Sequence, residues 1–367
     1  MAEYLIVGAD VHEEYVMTKW CIDQGDVSKN SFRMTEAGQS KMIGMLHKTA
    51  KKSKVKTIVV AYEACCLGFG LHDRLTEASI ECHVLAPTKI ERSNKQHRDK
   101  TDEKDALRIL EILRGHLLAG NSLPDIWIPD HQTRQDRAII RQRFSLSEQC
   151  SSVKTKIRMI LKRSQVRKPK KIGKNWTKAY RKWLRDICDM EAGVLQYGDM
   201  LVLESLLRQL KGLEDEVELQ DHNIKSLSET PRYQEACAKL CQIKGVGLLT
   251  AMVFLTEFGD MSRFSNRRQI GAFLGLAPSS YETGENCDRK GHITKQGSAL
   301  VRKVLSQAAW CISRDDPFYD RVLKKNPKKK KIALVGLMRR TAIKMWHIAL
   351  DVQKETGCFV VCTGEST

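Results

Sequence analysis

Residues 4–12 read YLIVGADVH, an unbroken apolar run that ends on the carboxylate of Asp10. A run this short and this rich in branched side chains predicts a strand buried on both faces. The pattern returns in KTIVVAYEA, residues 56–64, which ends on Glu63 in the same way. Between them EYVMTKWCID (14–23) and NSFRMT (30–35) read as two more strands, and SKMIGMLHKTAKK (40–52) as a helix. A helix over about 69–78, a strand ECHVLAP (81–87) stopped by Pro87, and a helix starting near Thr101 follow, with Thr101 or Asp102 as its cap.

The order β-β-β-α-β-α-β-α predicts a mixed α/β domain of the ribonuclease H-like kind over residues 1–130. Its last helix opens on KTDEKDA, residues 100–106, where Asp102 and Asp105 stand three positions apart. That spacing puts both carboxylates on one helix face, either as a surface ion-pair pattern or as two ligands for one hard cation. Asp10 and Glu63 end strands that neighbour each other in such a sheet, so four carboxylates could converge. A cluster of that kind repels itself unless a divalent ion neutralises it, and its oxygens favour magnesium or manganese. A strand-end acid taken singly also reads as a turn cap.

The chain has 367 residues, 42% of them hydrophobic, which supplies material for a core and excludes a disordered chain. A formal charge of +18 points to a polyanionic partner, with nucleic acid the first choice because basic surface releases counterions from phosphates. No apolar run has membrane-spanning length, and MAEYLIVGAD lacks a signal segment, so an intracellular, cytoplasmic location is expected. The twelve cysteines are scattered without zinc spacing and read as reduced thiols.

From Gln132 to about Arg185 the sequence reads as helical, and residues 154–185 carry fourteen lysines and arginines and no acid. Trp176, Tyr180 and Trp183 are interleaved among them. Basic groups grip phosphates and aromatic rings stack on exposed bases, which makes Lys154, Arg158, Lys162, Arg163, Lys170, Lys171, Lys174 and Trp176 candidate nucleic-acid contacts. The alternative is a solvated helix whose aromatics pack on the protein. Leu203, Leu206, Leu210, Leu213, Val217, Gln220, Ile224 and Leu227 then follow a three-four spacing that Pro231 ends. This predicts a coiled-coil seam, serving either as a self-association arm or as a hairpin folded back on the preceding helices. Residues 131–235 are accordingly expected to form a basic, coiled-coil middle region, 236–350 a mostly helical third domain, and 351–367 a tail. The third domain opens on IKGVGLLTAMVFLTEFG (243–259), similar to a helix-hairpin-helix turn whose Gly245 and Gly247 amides could meet a phosphate. RFSNRRQIGAFLGLAP (263–278), a loop over 279–305 and helices around Lys328 to Lys331 complete it.

GADVH with Asp10, YEA with Glu63, KTDEKDA, FLGLAP and GHITKQG together resemble the DEDD transposases of the "one-ten" and "eleven-eleven" classes of bacterial insertion sequences, which include the Piv-type DNA invertases. The resemblance covers nearly the whole chain. It implies a RuvC-like first domain, a coiled-coil middle and a third domain that supplies a serine nucleophile. It further implies recombination through a covalent phosphoserine link with Mg2+ or Mn2+, homo-oligomers from dimer to tetramer, DNA as donor and target, and in many members a guiding bridge RNA. Asp10, Glu63, Asp102 and Asp105 match the family's acidic set.

One position departs from the family. Thr283, before Gly284, stands in the serine's place, and its extra methyl crowds the approach of the hydroxyl. Ser279 and Ser280 lie a few residues upstream, and Arg289, Lys290, His292 and Lys295 follow as cations for a phosphate. Glu13 replaces a frequent lysine. The alternatives to a recombinase are a metal-dependent nuclease of the junction-resolvase kind, or a nucleic-acid-binding relative with weakened catalysis.

Overall fold

The computed structural model describes residues 2–90, 101–189, 193–283 and 286–357, with the backbone alone for 280–290. Contacts divide the chain into two units, residues 1–128 and 129–367.

The first unit is built on β1 (Tyr4–Val11), β2 (Tyr15–Ile22), β3 (Ser28–Arg33), β4 (Thr57–Glu63) and β5 (Glu81–Leu85). They form one sheet in the order β3-β2-β1-β4-β5, antiparallel from β3 to β1 and parallel from β1 to β5. The two central parallel strands are apolar on both faces because helices cover both. Leu5, Val7, Val60 and Tyr62 pack with Met42 and Leu46 of α1 (Glu36–Ser53) and with Leu75 of α2 (Gly70–Glu77). Ile6, Val59 and Ala61 point the opposite way, onto Ile109, Leu110 and Leu113 of α3 (Asp102–Ala119).

Gly8 sets how close α3 can come. A Cβ there would lie 2.2 Å from the Leu110 nitrogen and 2.4 Å from the Ala106 oxygen. The missing side chain therefore lets helix backbone rest on strand backbone, one turn beyond the start of α3. Thr101 is the cap, its hydroxyl accepting from the Lys104 amide, and Gly120 closes the helix with φ of 72°.

In the second unit, α4 (His131–Arg163) and α6 (Tyr197–Ser228) run antiparallel along each other. α5 (Lys178–Asp186) packs against both. The sequence's unbroken helical reading of 132–185 is corrected here: α4 ends at Arg163, and α5 starts only at Lys178, after the stretch holding Pro169 and Gly173. The three-four seam of α6 is satisfied inside the chain. Leu203 and Leu210 are buried against Cys150, Val153, Ile157 and Leu161 of α4, and Leu206, Leu213 and Val217 pack on the same cluster. Within the chain the seam takes the folded-back hairpin of the two readings, because α4 carries a matching apolar stripe and the chain between Arg163 and Tyr197 returns α6 along it.

The same pair enters the core of the third region. Ile140 and Phe144 of α4 and Ile224 of α6 join a cluster with α8 (Leu248–Phe258), α10 (Ala299–Ile312) and α12 (Lys330–Thr356). α8 is buried from Ala251 to Phe258, as its apolar sequence requires. Arg137 donates to the Thr256 and Glu257 carbonyls at 2.7 and 2.9 Å, and Arg141 grips the Glu257 carboxylate at 2.8 and 3.1 Å, so two guanidinium groups sit at the negative end of α8. α7 (Gln234–Cys241), α9 (Arg267–Phe273) and α11 (Pro317–Lys325) complete the unit. The loop expected over 279–305 is corrected to a hairpin, β6 (Pro278–Thr283) with β7 (Asn286–Ile293), leading into α10. The intervening Gly-Glu dipeptide was a legible hairpin signal. No helix among the described residues is long and apolar enough to cross a membrane.

Candidate active site

Parallel pairing of β1 with β4 puts Ala9 opposite Tyr62. Asp10 and Glu63 follow one residue later on each strand, and the two-residue alternation turns both toward the α3 face. Gly8, two residues before Asp10, lies under Ala106 and Leu110, so Asp10 comes under the first turn of α3. That turn carries Asp102, Glu103 and Asp105 at the positive end of the helix.

The two readings of KTDEKDA divide between its acids. Glu103 is the ion-pair residue: Lys19 and Lys29 reach its two oxygens at 3.0 and 2.9 Å, and their hydrogen bonds hold its carboxyl below the usual range. Asp102 turns to Asp10 instead. One ligand atom each from Asp10, His12 and Asp102 lies within 4.8 Å of the others. His12 Nε2 stands between the carboxylates, 3.0 Å from Asp10 Oδ2 and 3.2 Å from Asp102 Oδ1. The Tyr15 hydroxyl donates to Asp102 Oδ2 at 2.5 Å, which pushes the phenol up. Burial pushes the Asp10 carboxyl up as well; the His12 hydrogen bond offsets part of this, while Asp105 and Asp102 add repulsion. Crowded carboxylate oxygens at a helix N-terminus, with one imidazole beside them, fit a divalent cation. These residues can hold a metal ion.

The basic candidates of the second unit separate into two sets. Lys154 pairs with Glu214 at 2.9 Å and lies over the Trp176 ring, and Arg163 pairs with Asp199. Trp176 has φ of 66° and meets the edge of Tyr180 at 5.4 Å, so its ring packs on the protein. Arg158, Lys162, Lys170, Lys171 and Lys174 are exposed. In the glycine turn, Gly245 has φ of 80° and a Cβ on it would lie 2.7 Å from the Ala308 oxygen, which makes this glycine a packing requirement against α10. Gly247 faces open space at the start of α8.

Two motifs lock together at the base of the β6–β7 hairpin. A Cβ on Gly275 would strike Gln296 backbone at 2.1 Å, and one on Gly297 would strike the Phe273 oxygen at 1.9 Å. Arg302 ties the same place by donating to the Leu274, Gln296 and Gly297 carbonyls. Lys295, exposed and at φ of 56°, sits in this lock and its amide donates to the Gly275 carbonyl. Thr283 is the last residue of β6; its side chain and those of Arg289 and Lys290 lie outside the described residues. Ser279 donates to the His292 carbonyl at 3.1 Å and is therefore engaged in the hairpin.

Residues 7–165 match the sequence pattern of the IS110-type DEDD transposases, and residues 237–322 that of the transposase IS116/IS110/IS902 family. The chain thus carries, in order, two sequence patterns of the IS110-type DEDD transposases. A protein named as a transposase in Sinorhizobium fredii is 29% identical over 262 residues, which cover 70% of this chain and 59% of that relative. The transposase for insertion sequence element IS1533 of Leptospira borgpetersenii is 26% identical over 84% of this chain and 86% of its own. The pilin gene-inverting protein of Moraxella bovis is 27% identical over 34% of this chain and 41% of its own.

The DEDD pattern names four acids, and the residues around them were not legible as parts of the site. His12 and Tyr15 gave only a weak sign, lying within five residues of Asp10. Gly8 was visible as a glycine inside a strand, a usual mark of close backbone approach.

Proposed function

We propose that this chain is the DEDD recombinase of an insertion sequence, cutting and rejoining DNA through a covalent link between a side-chain hydroxyl and a DNA phosphate. The observation that carries the reading is the meeting of Asp10 and Asp102 beneath the first turn of α3, where their oxygens and His12 come within reach of one cation. Asp10, Glu63, Asp102 and Asp105 would hold one or two magnesium or manganese ions in a RuvC-like domain. A divalent cation bound there polarises a scissile phosphate and stabilises charge on its leaving oxygen.

Thr283 is the nucleophile in this reading. Its Oγ forms a bond to phosphorus as the bond from phosphorus to the DNA oxygen breaks, and its proton passes to a general base. Arg289, Lys290 and Lys295 neutralise the phosphate as charge builds. Exposed Arg158, Lys162, Lys170, Lys171 and Lys174, with the amides of the glycine turn at Gly245 and Gly247, contact nucleic acid backbone, and the charge of +18 supports this. The resemblance supplies two further parts: a structured bridge RNA as guide, and a homo-oligomer of two to four chains.

The test incubates the chain with a supercoiled donor, labelled target DNA, the element's noncoding RNA and magnesium, then sequences the protein–DNA adduct. The expected adduct is at Thr283, with Thr283→Ser at least as active and Thr283→Ala binding DNA without forming product. An adduct at Ser279 or Ser280, or product from the alanine variant, overturns the assignment.

A further inference from the structure

Two large concavities flank α5, and their walls differ in charge. The larger, about 1280 Å³, faces α6 and sets Glu204, Glu214 and Glu218 against Arg181, Arg185 and Arg208, so cations and anions balance within it. The other, about 830 Å³, lies between the end of α4, the connection after it and α5, and no carboxylate lines it. Its walls hold Arg158, Lys162, Arg167 and Lys168. Lys162 and Arg167 are exposed and form no ion pair among the described residues.

The inner wall is apolar and partly aromatic. Leu161 and Tyr180 are buried and Val166 and Trp183 half-buried, while Arg158, Lys162 and Arg167 stand exposed around them and Lys168 is half-buried. Gln165 and Asn175 add side-chain amides. The connection that forms the mouth is held in shape: Lys168 donates to the Gly173 carbonyl and, at 3.0 Å, to Asn175 Oδ1, and Gln165 adopts φ of 56°. A bare phosphate would need no aromatic wall, and an apolar ligand would need no ring of four cations. A flat ring bearing a phosphate needs both, and amides match the edges of a base. A duplex has its rings stacked inside and cannot offer one to a concavity.

We propose that this cavity binds a single nucleotide, presented as an unpaired residue of a nucleic-acid strand, with its base against Trp183 and its flanking phosphates on Arg158, Lys162 and Arg167. The proposal rests on the nucleic-acid reading of the chain and names the element that this region would recognise: a bulge or flipped base rather than a continuous duplex. The volume lies in the range that encloses a small ligand, with room for one nucleotide and its phosphates.

Fluorescence anisotropy of the full chain with a labelled duplex carrying one unpaired nucleotide, against the same duplex fully paired, tests this with probes made in both RNA and DNA. The bulged probe should bind roughly tenfold tighter, the effect of one base–aromatic stack. Trp183→Ala should remove the preference, Trp183→Phe should keep most of it, and the double change Arg158→Ala with Lys162→Ala should weaken both probes and flatten the salt dependence. Equal binding of bulged and paired probes by the unaltered chain overturns the pocket while leaving the nucleic-acid reading in place; binding of neither overturns both. Retention of the preference in Trp183→Ala overturns the location.

Discussion

Asp10 and Glu214 are both half-buried carboxylates beside a packed helix, and their surroundings push their proton affinities in opposite directions. Glu214 lies between Arg181 and Lys154, whose hydrogen bonds take its carboxyl down to about 2. Asp10 has His12 and the charge of two further aspartates nearby, and burial raises it. Evenly matched charges hold a hairpin together. Crowded like charges are a cost to the fold, and such crowding marks a place prepared for a ligand.

The comparison is sharpened most by Asp102→Asn, which removes an anionic ligand without changing shape. Metal-dependent strand cleavage should fall about a thousandfold with DNA affinity largely kept. Cleavage at the original rate would mean that Asp102 is a surface acid like Glu103.

Leu210→Ala probes the matched region. Leu210 is 1% exposed in the intrachain seam, so truncation should cost about 3 kcal/mol in chemical denaturation and leave the sedimentation of the folded protein unchanged. A smaller assembly at unaltered stability would show the seam joining protomers instead.

Gly8→Ala tests the geometry beneath the acids. The new methyl meets Leu110 and Ala106 backbone, which cannot swing aside, so α3 must lift from the sheet at a cost of about 2 kcal/mol and carry Asp102 away from Asp10. The expected result is a lower melting temperature together with weaker Mn2+ binding by calorimetry.

The smallest effect is expected from Glu214→Gln. Because the folded carboxyl lies below its ordinary value near 4.5, its stabilisation is fully present above that pH and is lost as pH falls toward about 2. Solvent screening of a partly exposed cluster keeps this near 1 kcal/mol. The variant should melt lower than the original at pH 7, and the difference should close on acidification; a constant difference would show that the loss is one of packing.

What the sequence determined by itself was whatever local periodicity encodes. Apolar runs ending on Asp10 and Glu63, a helix start near Thr101 and the three-four seam of α6 each follow from spacing along one element, and the strand and helix order of the first unit follows from their succession. Partner choice does not follow from spacing. The seam specifies an apolar stripe but not which helix covers it, and only the fold shows α4 doing so. A lysine specifies charge but not its pairing, so Lys154 and Arg163 looked like Arg158 and Lys162 until Glu214 and Asp199 arrived from 60 and 36 residues away. His12 and Tyr15 become part of the acidic site only when α3 settles on Gly8, because those contacts join residues about 90 positions apart in the chain.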